Sequence, residues 1–168
     1  MTLHELLALF TSKNIEYTTA HLDAMDQSAQ LTDVASDSRE VTPGSLFVCK
    51  GASFSPAYLA SAVEAGAVAY LCQQSLTEEL QAVAPNVAAI CVDDVRLAMA
   101  YAAAGVAGHP DKKLTTIGIT GTKGKSTCSY MLRAILDGDE PYSKCGVIGG
   151  IEVFDGKDTQ PAHNTTPE

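Results

Sequence analysis

One short segment rich in glycine and lysine constrains the chain more than any other: residues 121–126, GTKGKS. It follows an apolar, β-rich run at residues 114–120 and precedes a helical pattern at residues 126–136. At a glycine-bearing turn from a strand into a helix, backbone N–H groups point toward one place, and the helix N-terminus adds roughly half a positive charge. The segment therefore predicts a phosphate-binding loop at the opening of a nucleotide-binding α/β domain.

The side chains of this loop suit a triphosphate. Lys125 offers a full positive charge to the β- and γ-phosphates and is the candidate catalytic residue, and the hydroxyl of Ser126 is the candidate ligand of Mg²⁺. ATP and Mg²⁺ are the predicted cofactors. The general phosphate-loop pattern has glycine where this chain has Ile119, so the shorter form of the loop is the one that fits. A glycine-rich turn with a solvated lysine is the alternative that needs no ligand. The predicted nucleotide contacts are Gly121, Thr122, Lys123, Gly124, Lys125, Ser126 and Thr127.

The distribution of charge also favours a small anion here. The formal net charge is −9, yet no acidic residue lies between Asp111 and Asp137. Such an excess of acid over the whole chain argues against nucleic acid or an anionic membrane as a partner. The basic residues of the acid-free window are Lys112, Lys113, Lys123, Lys125 and Arg133.

Upstream of the loop, strand and helix patterns alternate. A capping box of Thr2 and Glu5 predicts an opening helix, and Ser55 before Pro56 predicts another helix with serine as its cap. The polar stretch before Asp33 is predicted to be irregular. Strands are predicted at residues 46–49, 67–72 and 88–92, and further helices at residues 76–83 and 94–105. Such alternation predicts an α/β domain with a mainly parallel sheet.

Residues 108–113, GHPDKK, have the composition of a linker and mark a domain boundary. We predict a small N-terminal α/β domain over residues 1–110. Residues 111–168 are then the start of a P-loop-type, parallel-sheet ATP-binding domain. In that part, residues 144–148 predict a strand and residues 152–156 a hairpin.

Five scattered cysteines, odd in number and never in a Cys-x-x-Cys pair, are typical of reduced thiols in a cytosolic protein. The N-terminus lacks the features of a signal peptide, and no apolar run is long enough to span a bilayer. We therefore expect a cytoplasmic protein without membrane insertion.

The loop and three further segments resemble the Mur ligase family. The short loop form is the one found in Mur ligases and in the related folylpolyglutamate and cyanophycin synthetases. Residues 37–48, DSREVTPGSLFV, and residues 62–69, AVEAGAVA, resemble the uridine-nucleotide-binding domain of Mur ligases. Residues 164–168, NTTPE, resemble the substrate-contacting segment of the UDP-N-acetylmuramoyl-tripeptide synthetases.

This resemblance implies an ATP-dependent, amide-forming ligase of peptidoglycan synthesis. The γ-phosphate is transferred to the free carboxylate of UDP-N-acetylmuramoyl-L-alanyl-D-glutamate, and the amine of a third amino acid then attacks the acyl phosphate. Both lysine and diaminopimelate remain open as that amino acid, and the oligomeric state stays open too. The residues expected to contact the UDP-muramoyl peptide are Ser38, Arg39, Ala52, Ser53, Asn164, Thr165 and Thr166.

Plainer alternatives accompany these assignments. Ser38 and Arg39 also fit a turn that ends a strand, and Thr165 and Thr166 also fit an extended segment without a role. The family's third domain has no counterpart in these residues, so we expect an N-terminal part of a ligase that is inactive alone. The main alternative is a stand-alone UDP-sugar-binding module without catalysis. A small P-loop kinase or GTPase is disfavoured because a whole domain precedes the loop.

Overall fold

A computed structural model describes residues 1–21, 29–139 and 144–162. The chain forms two compact units, Met1–Leu114 and Thr115–Glu168. The function assigned to each unit stays a prediction.

Strands and helices alternate along the first unit. This unit also contains two short 3₁₀ turns, at Gln74–Leu76 and Pro110–Lys112. The helices are α1 (Leu3–Ser12), α2 (Pro56–Glu64), α3 (Thr77–Val83) and α4 (Val95–Val106), and the strands are β1 (Tyr17–Ala20), β2 (Val34–Ala35), β3 (Leu46–Val48), β4 (Ala69–Gln73) and β5 (Ala88–Val92).

These five strands form one sheet in the order β1-β5-β4-β3-β2. Strands β2 to β5 run parallel, and β1 pairs antiparallel with β5 at the edge. The predicted α/β class with a mainly parallel sheet is confirmed. Because neighbouring parallel strands end at the same edge of a sheet, the segments that follow β2, β3, β4 and β5 lie along one side of this unit.

Successive side chains of a strand point to opposite faces of a sheet, so these apolar strands present apolar side chains on both faces. Helices cover both of those faces. One face buries Leu46, Leu71 and Ile90 together with side chains of α1 and α4. The other buries Phe47 and Tyr70 together with side chains of α2 and α3. Each fully buried large apolar side chain contributes roughly 1.5–3 kcal/mol, so these two clusters are the main source of stability.

The helix starts follow the sequence signals with one exception. In α1 the N–H of Glu5 donates to Thr2 Oγ1 at 3.1 Å, and the N–H of Thr2 donates to Glu5 Oε2 at 2.8 Å, which confirms the capping box. In α4 the N–H of Leu97 donates to Asp94 Oδ1 at 3.0 Å. Ser55 occupies the N-cap position of α2, but its side chain makes no capping hydrogen bond. The predicted helix start and N-cap residue are therefore confirmed, although the side chain of Ser55 leaves the N–H groups of the first turn uncapped.

Within its described residues, the second unit contains one helix and a small sheet. The helix is α5 (Lys125–Asp137), and the strands are β6 (Val147–Ile148), β7 (Glu152–Phe154) and β8 (Thr159–Pro161). These strands are antiparallel in the order β6-β7-β8. The predicted hairpin is confirmed, with Asp155 Oδ1 accepting from the N–H groups of Lys157 and Asp158 at its turn.

Two predictions about strands are wrong. The stretch expected to be irregular contains β1, where Tyr17 and Thr19 pair with Val92 and Ile90 of β5. Conversely, residues 114–120 lie outside every strand of the described chain, and Leu114 and Ile117 are 67% and 54% exposed. A strand needs a hydrogen-bonded neighbour, and the described residues provide none for this segment.

The five cysteines all lie in the described residues and form no disulfide, and Cys49, Cys72 and Cys91 are buried as the apolar runs around them predict. Cys72 and Cys91 are opposite one another on β4 and β5, with their Sγ atoms 3.7 Å apart. Burial raises the pKa of the Cys49 thiol, which keeps it protonated. No helix in the described part of the chain has the length and hydropathy needed to cross a bilayer.

Candidate functional site

The loop at residues 121–126 leads directly into α5. Gly124 is the N-cap residue, and its φ of 79° is a left-handed conformation that glycine adopts without strain. The N–H of Cys128 donates to the carbonyl of Gly124 at 2.9 Å, which is the first helical hydrogen bond. The N–H groups of Lys125, Ser126 and Thr127 therefore precede the helical ladder. N–H groups in this position suit the oxygens of a phosphate.

Lys125 spans the loop. Its Nζ donates to the carbonyl of Gly121 at 2.6 Å, so the ammonium lies against the loop that it is predicted to serve. Ser126, in the first turn of the helix, is half-buried, whereas Thr122, Lys123 and Thr127 are exposed. The structure thus brings all the predicted nucleotide contacts together in one turn and helix start.

The donors for magnesium in this loop are few but suitable. The hydroxyl of Ser126 is the predicted ligand, and among the described residues no group of three or more His, Cys, Asp or Glu side chains is arranged to hold a metal. Mg²⁺ beside a nucleotide commonly takes one or two protein oxygens and completes its shell with phosphate oxygens and water. A single hydroxyl beside a predicted phosphate loop fits that pattern.

Arg133, although it lies in the acid-free window, is engaged within the second unit. Its Nε donates to Asp137 Oδ2 at 3.3 Å, and its guanidinium lies 3.7 Å from the ring centroid of Phe154. The carboxylate one turn along the helix offsets its charge. Of the basic residues in the acid-free window, Lys123 and Lys125 lie in the loop, whereas Arg133 pairs with Asp137 and packs against Phe154.

In the first unit, Ser38 and Arg39 lie in the turn that follows β2. The N–H of Glu40 donates to the carbonyl of Asp37 at 3.0 Å, and the N–H of Arg39 donates to Asp37 Oδ1 at 3.0 Å. The Arg39 guanidinium pairs with the same carboxylate. Its hydrogen bonds are the main cause that lowers the pKa of Asp37 to about 2. The side chain of Asp37 therefore fixes the turn that carries Ser38.

Ala52 and Ser53 lie in the loop that follows β3, at the same edge of the sheet. The N–H of Phe54 donates to the carbonyl of Gly51 at 3.2 Å, which closes a tight turn with Ala52 and Ser53 exposed. The ring of Phe54 meets that of Tyr58 edge-on, with centroids 6.5 Å apart.

The turn at residues 37–40 and this loop follow β2 and β3, which are neighbouring parallel strands, so both lie at the same edge of the sheet. The structure thus brings the two loops predicted to hold the uridine nucleotide to one place on the first unit.

A cleft of about 180 Å³ adjoins this place at the carboxyl ends of β3 and β4 and the first turn of α4. Phe54 and Leu76 form part of its apolar lining, and Lys50, Gln73 and Arg96 its polar lining. Lys50 and Arg96 are not among the site residues predicted from the sequence. The available signal was that each basic residue comes shortly after a predicted parallel strand, where a sheet collects ligand contacts.

Asn164, Thr165 and Thr166 lie outside the described residues. Their contact with the muramoyl peptide stays a prediction.

Comparison with known proteins gives the following relatives. No protein-family model matches the chain. A UDP-N-acetylmuramoyl-L-alanyl-D-glutamate–2,6-diaminopimelate ligase of Caldanaerobacter subterraneus subsp. tengcongensis is 37% identical over 143 residues, covering 84% of this chain and 28% of the relative. A UDP-N-acetylmuramyl-tripeptide synthetase of Latilactobacillus sakei subsp. sakei is 37% identical over 146 residues, covering 85% of this chain and 27% of the relative.

A crystal structure of MurF from Acinetobacter baumannii shares the fold, with a TM-score of 0.56 and 24% sequence identity, covering 79% of this chain and 27% of that chain. The chain spans little more than a quarter of the length of the curated relatives it matches. Identity of this level extends over most of the chain, and the fold agrees with it. The chain belongs to the Mur ligase family.

Proposed function

We propose that this chain is part of a cytoplasmic, ATP-dependent ligase of peptidoglycan synthesis. The ligase joins a third amino acid to UDP-N-acetylmuramoyl-L-alanyl-D-glutamate through an amide bond. Residues 1–110 bind the UDP-linked substrate, and residues 111–168 begin the ATP-binding domain. The names of the relatives support this class of reaction.

The observation that carries the proposal is the geometry at the start of α5. A left-handed Gly124, N–H groups that precede the helical ladder, and the Lys125 ammonium held against the Gly121 carbonyl together suit a triphosphate. The proposed ATP contacts are Gly121, Thr122, Lys123, Gly124, Lys125, Ser126 and Thr127.

The chemical task is to bring a carboxylate and a triphosphate together, both of them anions. A carboxylate oxygen bonds to the γ-phosphorus while the bond to the β,γ-bridging oxygen breaks, which gives an acyl phosphate and ADP. The amine then attacks the acyl carbon, phosphate leaves, and the amine loses a proton. Lys125 offsets charge on the β- and γ-phosphates. Mg²⁺, with Ser126 as one ligand, supplies further positive charge when bound.

On the first unit, the two neighbouring loops after β2 and β3 receive the UDP part of the substrate. Their exposed position at the carboxyl edge of a parallel sheet supports this role. The proposed contacts there are Ser38, Arg39, Ala52 and Ser53, and those to the muramoyl peptide are Asn164, Thr165 and Thr166.

A second candidate is a stand-alone UDP-sugar-binding module without catalysis. It is favoured by the well-packed core of the first unit, which contains both proposed substrate loops. Calorimetric titration with UDP-N-acetylmuramoyl-L-alanyl-D-glutamate and with Mg·ATP separates the two functions. A ligase part binds both compounds, whereas the module binds the UDP compound and not ATP.

Lys125→Ala tests the loop itself. The variant loses a charge-assisted contact of about 1.5–3 kcal/mol, so ATP affinity is expected to fall at least about tenfold. Lys112→Ala, which removes an exposed lysine of the 3₁₀ turn Pro110–Lys112 and leaves residues 121–127 unchanged, is the matched control and keeps wild-type affinity. Equal affinities in the two variants would argue against the assignment of Lys125.

The 168-residue chain is expected to give no amino-acid-dependent phosphate release, because it spans little more than a quarter of the length of its relatives.

A further inference from the structure

Two buried thiols of the first unit lie side by side on one face of its sheet. Cys72 on β4 and Cys91 on β5 are register partners on neighbouring parallel strands, and both belong to the apolar cluster that α2 and α3 cover. The Cys72 thiol donates a hydrogen bond to the Cys91 sulfur at 3.7 Å. Neither thiol has a part in the proposed ligase chemistry, so the contact calls for an account of its own.

The backbone at this pair has the spacing that a disulfide needs. Neighbouring strands of a sheet lie roughly 4.7–4.9 Å apart, and the Cα atoms of cysteines joined by a disulfide are usually about 4.4–6.8 Å apart. The two sulfurs have to approach from 3.7 Å to the ~2.05 Å of an S–S bond. Because register partners point to the same face, rotation of the two side chains can close this gap without a new arrangement of the strands.

The hydrogen bond also makes the two sulfurs chemically unequal. It is the main cause that lowers the pKa of Cys91, with burial acting in the opposite direction, and it is the main cause that raises the pKa of Cys72. A thiolate, not a thiol, is the form that attacks an oxidant. Cys91 is therefore the attacking sulfur, and Cys72 is the neighbour that can complete a bond to it.

The environment of the pair restricts which oxidant can reach it. Cys72 and Cys91 are 0% and 1% exposed. Thr18, the register partner of Cys91 on the edge strand β1, and Gln74, which follows β4, both line an open depression of about 580 Å³. The charged residue of that lining is Glu16, which repels anions. A small, uncharged oxidant such as hydrogen peroxide fits this approach, whereas a bulky, charged disulfide does not.

We propose that Cys72 and Cys91 are a reversible redox pair, which hydrogen peroxide converts into an intramolecular disulfide. In a reducing cytosol the pair rests as two thiols, and the disulfides that do form there are usually transient or redox-sensing. A dithiol restores both thiols through two exchange steps. This inference goes beyond the proposed ligase function and does not depend on it.

The oxidation proceeds in two steps. The Cys91 thiolate bonds to one peroxide oxygen while the O–O bond breaks, which gives a sulfenic acid and a hydroxide that takes a proton to become water. The Cys72 sulfur then bonds to the Cys91 sulfur while the S–O bond breaks, and the hydroxyl leaves as water with the Cys72 proton. Each sulfur loses one electron, and the two peroxide oxygens gain them.

The second step protects Cys91 from irreversible damage. A sulfenic acid without a neighbouring thiol is oxidised further to a sulfinic acid, which a dithiol does not reduce. Cys72 lies in hydrogen-bonding contact with Cys91, so it can trap the sulfenic acid before a second peroxide arrives. Cys72 is then the resolving cysteine of the pair.

Peptide mapping of the whole 168-residue chain after hydrogen peroxide tests the pair. Trypsin cleaves after Lys50 and Arg96, so residues 51–96 form one peptide in which Cys72 and Cys91 are the two cysteines. After alkylation of the remaining thiols, this peptide is expected to carry no alkyl group and to weigh two hydrogens less than its reduced form. Dithiothreitol is expected to restore both thiols to alkylation.

A second digestion and an internal reporter complete the measurement. Cleavage after Glu78 or Glu79 separates the two cysteines along the chain, so halves that stay joined locate the bond between them. Cys128 is exposed, and its oxidation in the same sample verifies that the peroxide acted.

Cys72→Ser keeps a hydrogen-bond donor beside Cys91 but cannot form the disulfide. At least about tenfold more sulfinic acid is expected at Cys91 in this variant than in wild type, and dithiothreitol is not expected to remove it. Cys49→Ser, at another buried thiol of the same cluster, is the matched control and keeps the disulfide. Circular dichroism of each variant verifies the fold.

Four outcomes would contradict the redox pair. A peptide 51–96 that stays fully alkylated while Cys128 is oxidised overturns it. A bond from that peptide to Cys49, which trypsin releases within residues 40–50, also overturns it, because the native contact then does not select the partner. The same mixture of pairings in the native chain and in a chain oxidised in urea shows that the fold is not the cause. Equal sulfinic acid in wild type and Cys72→Ser excludes Cys72 as the resolving cysteine.

Discussion

Asp37 is the side chain that shapes the turn carrying Ser38 and Arg39. Hydrogen bonds from the Arg39 guanidinium, and then from the Arg39 backbone N–H, lower the pKa of Asp37 to about 2. An aspartate in an unfolded chain titrates near ~3.9. The ionised carboxylate therefore stabilises the folded turn above that pH, and the contribution is lost as the pH falls toward 2.

Arg39→Gln is expected to raise the pKa of Asp37 toward its ordinary value, because it removes the largest cause of the shift and leaves the backbone hydrogen bond. A carboxyl-carbon NMR titration measures the change. Asp155 is the control, since backbone N–H groups of Asp158 and Lys157 are what mainly lower its pKa. An Asp37 that titrates identically in the variant would show that the guanidinium is not the cause.

Gly66 and Gly108 form a matched pair for backbone strain in the first unit. Both have left-handed φ, 106° and 74°. A Cβ at Gly66 would lie 3.0 Å from Pro43 Cα, whereas one at Gly108 would meet nothing within 4 Å. Alanine costs about 1–2 kcal/mol at either position through its backbone conformation. Gly66→Ala adds a clash worth roughly 1–3 kcal/mol, so urea unfolding is expected to show the larger loss there. Equal losses would mean that Pro43 moves aside without cost.

Residues that act through local spacing could be predicted from the sequence, and residues gathered by the fold could not. Lys125 next to Gly124 follows from the order of residues along one loop. Arg96 and Lys50 are far apart in the sequence and meet because β3 and β5 end at the same edge of the sheet. The engagement of Arg133 with Phe154 is likewise a tertiary contact that no local pattern indicates.

Helix α1 owes its start to the capping box of Thr2 and Glu5. Thr2→Ala leaves an N–H of the first turn without its acceptor and is expected to cost about 1 kcal/mol of unfolding free energy. Ser55→Ala, at the N-cap of α2 where the side chain makes no capping bond, is the matched control and is expected to cost less. Chemical denaturation followed by far-UV circular dichroism compares the two. A larger loss for Ser55→Ala would contradict the capping assignment.

Among the elements, those with both a strong pattern and a partner in the chain could be predicted. Strand β5 is a continuous apolar run buried between neighbours, and α4 follows a capping aspartate, so both lie where the sequence predicts them. Strand β1 has a weak pattern, YTTA, and is formed by antiparallel pairing with β5. In residues 114–120 the β-rich apolar pattern is strong, but the described chain contains no strand that pairs with this segment.

The two units differ sharply in how much apolar surface they bury. Both core clusters consist of residues of the first unit. In the described part of the second unit the buried hydrophobic side chains are Val147 and Phe154, and α5 has no buried residue. Its Met131 and Ile135 are 61% and 74% exposed. Because local opening is governed by buried apolar contacts, we expect α5, which follows the proposed phosphate loop, to be less stable than the helices of the first unit.

Hydrogen exchange on the whole 168-residue chain tests this difference. Backbone amides of β4 and β5 are expected to exchange slowest, and those of α5 faster by at least about tenfold, which corresponds to about 1.4 kcal/mol of opening free energy. Mg·ATP is expected to slow exchange in α5 and leave β5 unchanged, because a ligand that binds the ordered loop stabilises it in proportion to occupancy. The control is Lys125→Ala, in which Mg·ATP is expected to slow exchange in α5 less than it does in the wild-type chain. Amides of α5 that exchange as slowly as those of β5 without nucleotide would contradict the assignment of low stability to the second unit.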